Sequence, residues 1–350
     1  MSSTKILIVG ATGYIGGSIL TTLLQSTDAN IKASTISAFV RKQDHADLLK
    51  EKGVNPILFS GLDDTKIVRE VASKHDIVIN SASAFLSDAA EALILGLADR
   101  KKETGKETHF IHTSGTSSLG DLPISGTYTE TRIFSDKEDI YAYQRFREDL
   151  ESYQQRTCDL AVFEKGEEAN VKTYILMSPT IYGLGSGFFN RTSIQIDGII
   201  RAARRDGYAS VIGTGSAEWD HVHVEDLMKL YELVVFRLLA GDDLPSNKKG
   251  IYFNETGHQS WREVSERVAK EGKALGYLDS DKVKELSLEE GVATFGKALP
   301  PTAVEVGFAS RSRTRADLSR EIGWKPTKTR EDFEASFRGE WEILAKESTF

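Results

Sequence analysis

An α/β fold built on a Rossmann-like doubly wound parallel sheet, with a smaller, mainly C-terminal substrate lobe, is predicted by three observations. Short apolar runs alternate with segments of helical period over the first half of the chain. A glycine-rich turn follows the first apolar run directly. The alternation then breaks at Gly183, Gly185 and Gly187, where the chain is expected to leave the sheet.

The elements follow in order. Ile6–Val9 is an apolar strand, and Ser18–Leu24, with Ile19, Leu20, Leu23 and Leu24, reads as the next helix. Ile36–Val40 is a second strand, followed by a helix over Ala46–Glu51, a strand near Pro56–Phe59 and a helix over Lys66–Ser73. Ile77–Asn80 and His109–Thr113 read as strands joined by a crossover helix at Ala89–Lys101. Ile140–Gln154 reads as one charged amphipathic helix, and Val171–Leu176 as the next strand. Beyond the glycines, helices are expected over Ile194–Arg205, Asp226–Ala240, Trp261–Ala274 and from about Arg330 onward. Residues 1–180 would form a dinucleotide-binding core to which 219–255 returns, leaving 181–218 and 256–350 for the smaller lobe. No internal repeat or low-complexity linker divides the chain.

Composition narrows the function. The 350 residues are 40% hydrophobic and 27% charged, ordinary for a globular protein able to bury a core. A formal net charge of -8 argues against nonspecific nucleic-acid binding, which needs a basic surface. The one cysteine, Cys158, cannot form an intramolecular disulfide and reads as a small buried residue rather than a nucleophile. No metal site is expected, because His221 and His223 share a strand face without a third ligand nearby. No apolar run is long enough to cross a bilayer, and the first residues do not read as a secretory signal. A cytoplasmic location without membrane association is therefore expected, and the Asn190 and Asn254 sequons are not expected to be glycosylated.

Gly10-Ala11-Thr12-Gly13-Tyr14-Ile15-Gly16 lies immediately after a strand and opens a helix. That placement points to a Rossmann-type nucleotide site: Gly10 makes the tight turn, Gly13 lets the backbone approach a pyrophosphate, and Gly16 allows close helix–strand packing. Arg41 and Lys42 end the second strand where an NAD site often places a carboxylate, so NADP(H) is the expected cofactor. A solvated basic loop is the plainer alternative. Asp63 is placed to approach the adenine edge, although it and Asp64 also fit as acidic helix caps.

With these residues on the page, the chain resembles the extended or atypical branch of the short-chain dehydrogenase/reductase superfamily. That branch includes epimerase/dehydratase-like proteins and the neighbouring NmrA-like proteins. The resemblance rests on the turn Gly10–Gly16, on Asn80-Ser81-Ala82-Ser83 and on His112-Thr113-Ser114-Gly115. It continues through Ser178-Pro179-Thr180-Ile181-Tyr182-Gly183, Trp219–Leu227 and Ala316–Pro326. It implies that Gly10, Thr12, Gly13, Tyr14, Ile15, Gly16, Arg41, Lys42, Asp63, Ser81, Ala82, Ser83, Pro179 and Ile181 surround the cofactor. It also implies that Ser114 positions the substrate oxygen.

Active members of that superfamily pair a tyrosine acid/base with a lysine four residues later. The helix read here as their counterpart contains no Tyr-x-x-x-Lys, but Tyr141 with Arg145 and Tyr143 with Arg147 have the right spacing. Glu151 favours the second pair, and both remain open. Arg311, Arg313 and Arg315 alternate along a strand that could face a phosphate or simply be solvated, and Phe188, Phe189 and Trp219 could wall an apolar substrate or join the lobes. The expected function is an NADP(H)-dependent oxidoreductase acting on a carbonyl or alcohol in a small molecule that is apolar or phosphate-bearing. The alternatives are a nucleotide-sugar epimerase/dehydratase-like enzyme and an NADP(H)-binding redox-sensing regulator without turnover. A homodimer or a regulated protein partner also remains open.

Overall fold

The computed structural model describes residues 3–296 and 298–346. Its centre is a seven-stranded parallel sheet in the spatial order Ile251–Phe253, Lys172–Ser178, His109–Gly115, Ile77–Asn80, Lys5–Val9, Thr35–Val40, Asn55–Leu58. The register pairs Ile8 with Ala38 on one side and Ile79 on the other, and Ser114 with Met177. Central strands are buried along almost their whole length, which is why they read as continuous apolar runs rather than alternating ones. Helices Tyr14–Gln25, Ala29–Ala33 and Val224–Leu239 pack on one another, as do Thr65–Ala72, Ser87–Thr104 and Gln154–Ala169. The sheet is thereby covered on both faces.

Local chemistry sets the ends. Asp64 accepts from Ile67 N at the start of Thr65–Ala72, and Ser260 accepts from Glu263 N at the start of Trp261–Ala274. Thr329 and Asp332 form a reciprocal capping box on Arg330–Leu344. Gly105 (φ 69°) and Asn170 (φ 52°) end the helices before the strands at 109 and 172 in the left-handed conformation.

One stretch differs from the sequence expectation. Residues 140–154 are not a single helix: Ile140–Leu150 stops, residues 151–153 are extended, and a second helix, Gln154–Ala169, runs back to the sheet. The break is held by Glu148, which accepts from Tyr153 N and the hydroxyls of Ser152 and Thr157. That carboxylate replaces helical partners for the freed backbone, and helical periodicity does not report such a contact.

Beyond Ser178 the chain forms a three-stranded sheet, Gly257–Ser260, Glu218–His223, Thr180–Tyr182. Beside it a second core gathers Tyr182, Ile196, Ile200, Trp219, Trp261, Phe333, Phe337 and Trp341. Among the described residues no helix is long and apolar enough to cross a membrane.

Candidate active site

The carboxyl ends of the central strands open into two adjoining chambers that share Ser81, Ala82, Ser83, Phe85 and Gln154. The first, of about 890 Å³, is bordered by Gly10, Thr12, Gly13, Arg41, Asp63 and the segment 81–83. Gly10 has φ +93°, and a Cβ there would lie 2.7 Å from Ala82 N, so both its conformation and its neighbour require glycine. A Cβ on Gly16 would run into the Gly10 carbonyl and the Ser81 hydroxyl, while Ser81 itself donates to Val9 O at 2.9 Å. A Cβ on Gly13 would meet only Gly10 O, at 3.3 Å, leaving that side of the turn open to the chamber. No acidic residue stands in the first turn of Tyr14–Gln25, so the positive end of the helix is uncompensated. This cradle fits a dinucleotide pyrophosphate.

Arg41 is exposed on the chamber wall without an ion-pair partner among the described residues, whereas Lys42 opens the helix Gln43–Glu51 outside the lining. Tyr14 and Ile15 border the second chamber instead of the first, and the Tyr14 hydroxyl donates to Gly183 O at 2.6 Å.

The second chamber, of about 860 Å³, holds Ser114, Ser117, Tyr153, Gln155, Pro179 and Ile181. Its polar groups form one chain: Gln155 donates from Nε2 to Ser114 Oγ at 3.1 Å, and Ser117 donates to Gln155 Oε1 at 2.8 Å. Burial raises the Tyr153 phenol above its ordinary value, opposed by the neighbouring Ser117 hydroxyl and the Arg156 charge. The Arg156 guanidinium lies 5.8 Å from the Tyr153 ring centre and donates to Ser118 O and Glu151 O. Beneath this chain lies Asp159, fully buried, accepting from Ser118 at 2.7 Å and Gln144 at 3.1 Å. Burial pushes its carboxyl up to about 7, against the hydrogen bonds from Ser118 and Gln144. His112 stands 4.0 Å from Asp159, and burial lowers its imidazole to about 4.

Tyr153, Gln155, Arg156 and Asp159 were not singled out from sequence. Tyr153 caps the helix that immediately precedes a sheet strand, so the return of that helix along the sheet places its N-terminus at the strands' carboxyl ends. The available signal was the long uncovered stretch between residue 154 and the strand at 172, which has room for another helix.

The paired residues expected on the preceding helix are not brought to the cleft. Tyr143 is buried against Phe134, and its hydroxyl accepts from Arg147 at 3.0 Å. Arg147 is fully buried, donates to Gly120 O and lies 3.7 Å over the Tyr128 ring. Tyr141 donates to Glu164 at 3.0 Å on the outer surface, where Arg145 pairs with the same carboxylate. The physical reason is the break at 151–153, which assigns the cleft to the second helix.

Other side chains resolve into packing. His221 stacks on Phe333 at 4.1 Å, and His223 accepts from Glu225 N to cap Val224–Leu239. Arg313 pairs with Asp220 and Glu218, Arg315 pairs with Asp317, and Arg311 donates to the carbonyls of Glu130 and Arg132. Phe188 lies under Lys52 and Phe189 against His45, so of the three expected aromatics only Trp219 lines the second chamber. Cys158 is buried, with its thiol raised to about 12 chiefly by burial. Among the described residues, no group of three or more His, Cys, Asp or Glu is placed to hold a metal ion.

The sequence model of the NAD dependent epimerase/dehydratase family matches residues 6–243. The chain belongs to this family. Its relatives include an oxidase, ucsJ, from Acremonium sp, 26% identical over 339 residues that cover 92% of each chain. Among solved structures, dTDP-glucose 4,6-dehydratase (DesIV) from Streptomyces venezuelae, with NAD and TYD bound, superposes with a TM-score of 0.65 at 16% identity, covering 97% of this chain and 100% of that one. UDP-glucuronic acid 4-epimerase from Bacillus cereus, in complex with UDP-glucuronic acid and NAD, gives a TM-score of 0.63 at 14% identity, covering 98% and 99%. At these identities the structural likeness establishes the epimerase/dehydratase fold, and the family assignment marks the protein as NAD(P)-dependent and oxidoreductase-type.

Proposed function

We propose that the protein is an NADP(H)-dependent oxidoreductase that interconverts a carbonyl and an alcohol in a small molecule. The observation that carries this reading is the Tyr153 phenol lining the same chamber as the hydrogen-bonded chain Ser117–Gln155–Ser114, which adjoins the glycine turn. The name of the Acremonium relative, an oxidase, supports redox chemistry.

Gly10, Thr12, Gly13 and the start of Tyr14–Gln25 would hold the pyrophosphate, Ser81–Ser83 the middle of the dinucleotide, and Pro179 and Ile181 its nicotinamide end. Arg41 would take the 2′-phosphate through two hydrogen bonds. When bound there, the cofactor would supply the chemistry of hydride donation or acceptance. In the reductive direction, the carbonyl oxygen would gain its proton from the Tyr153 phenol, which is protonated at neutral pH and whose value burial raises further. Ser114, held by Gln155, donates to the same oxygen and fixes its position. Arg156 supplies nearby positive charge for the transient phenolate, because Thr157 occupies the position four residues after Tyr153. Solvent at the chamber mouth returns the proton.

That missing cation is also what favours the alternative, an NADP(H)-binding regulator without turnover. NADPH oxidation across a broad panel of carbonyl compounds separates the readings, and two variants test the residues assigned. Arg41→Ala should cut NADPH affinity by about tenfold or more while sparing NADH, as expected for a lost charge-assisted contact; an unchanged preference removes NADP(H) selectivity from the proposal. NADPH oxidation that survives undiminished in Tyr153→Phe removes the phenol from the mechanism.

A further inference from the structure

Resting on that oxidoreductase reading, we propose that the second chamber takes a neutral, largely apolar carbonyl compound and does not accept a nucleotide sugar. None of its described lining residues is Lys, Arg, His, Asp or Glu. Its walls are apolar: Phe85, Ile181, Ile194, Trp219, Leu299 and Phe308. The polar groups of the lining are neutral hydroxyls and carboxamides, with Ser114, Ser117, Tyr153 and Gln155 together among them.

A second observation points the same way. Ile194 is 79% exposed and Leu299 49%, and both stand at this chamber, as does Phe85 at 43%. Large apolar side chains kept in water around one opening mark a surface meant to be covered by an apolar ligand. Ile194 sits immediately before the helix Gln195–Asp206, and Leu299 immediately before Pro300 and the helix Pro301–Phe308, so helix starts from two segments bring them to the opening.

A diphosphate, in contrast, needs cations or free amides, and enclosing it without them leaves its desolvated charges uncompensated. The three arginines of the segment 311–315 are committed: Arg313 to Asp220 and Glu218, Arg315 to Asp317, and Arg311 to two backbone carbonyls. The two helix starts offer little compensation. Gln195–Asp206 carries Asp197 in its first turn, opposing an anion, and the other helix opens with a proline that lacks an N–H. The Gln195 carboxamide is itself occupied, donating to Gly307 O and accepting from Thr180. The chamber can solvate a carbonyl oxygen and bury rings; among its described lining residues none carries a charge to neutralise a pyrophosphate.

The test is calorimetric titration of the NADP+-loaded protein with 2-acetonaphthone, 1-tetralone and UDP-glucose, run beside NADPH oxidation with the same compounds. At least one ketone is expected to bind about tenfold or more tightly than UDP-glucose. Leu299→Asp and Ile194→Asp, both at exposed positions that leave folding intact, should each weaken ketone binding by about tenfold through desolvation of the new charge. UDP-glucose binding as tight as the ketones, no saturable ketone binding, or ketone binding indifferent to both substitutions overturns the proposal. Selective ketone binding without NADPH oxidation by any ketone leaves the chamber's ligand class standing and counts against turnover.

Discussion

The helices Ile140–Leu150 and Gln154–Ala169 are consecutive, are separated by three residues, and each has a tyrosine near its start and a fully buried arginine. In the first, Tyr143 and Arg147 bond to each other and are closed off by Phe134 and Tyr128. In the second, Tyr153 faces the cleft while Arg156 lies behind it, bonded to backbone carbonyls of Ser118 and Glu151. The spacing of tyrosine and cation therefore says little by itself. What matters is which helix starts at the carboxyl ends of the sheet strands, and that is the one leading directly into Lys172–Ser178.

This contrast can be broken most sharply at Tyr153. Tyr153→Phe should lower kcat/KM for carbonyl reduction by roughly 10²- to 10⁴-fold, the usual contribution of a positioned acid, with thermal stability nearly unchanged. The matching change on the other helix, Arg147→Ala, should act on stability instead. It leaves the Tyr143 hydroxyl and Gly120 carbonyl without their buried donor and opens a void under Tyr128, at a cost of roughly 3–5 kcal/mol in denaturant unfolding. Undisturbed folding with lost catalysis in Arg147→Ala would reverse the roles assigned to the two helices.

A pH experiment sharpens the second helix further. Asp159 has a folded value of about 7, above its ordinary carboxyl value, so the proton it holds stabilises the native state at low pH. That contribution is lost as pH rises through about 7. Asp159→Asn should accordingly raise the melting temperature relative to wild type more at pH 8 than at pH 5, and an equal change at both values would show that the carboxyl does not titrate in this range. The smallest effect is expected for Tyr143→Phe, which removes one acceptor from Arg147: about 1–3 kcal/mol of stability, and catalytic constants within about twofold of wild type.

Much of the fold was legible because it depends on short-range signals. The strand Ile77–Asn80 and the helix Trp261–Ala274 form over the residues their patterns indicated. The break at 151–153 was not legible, because it is stabilised by the Glu148 side chain rather than by a proline or glycine. The arginines 311 and 313 read as suited to a ligand or to solvent, and only folding brought backbone carbonyls to the first and Asp220 and Glu218 to the second.

The sequence by itself determined the parallel sheet, the glycine turn and the place where a dinucleotide would lie, since each follows from apolar periodicity and from backbone conformations only glycine adopts freely. The tertiary structure decided which tyrosine faces the cleft and what surrounds the space beside it. Both depend on side chains far apart in the chain: Ser117 and Tyr153 line one chamber from either side of the helix Ile140–Leu150 in the chain, and Leu299 and Ile194 reach it from segments about a hundred residues apart. Such encounters are selected by packing of the whole core, and no local spacing encodes them.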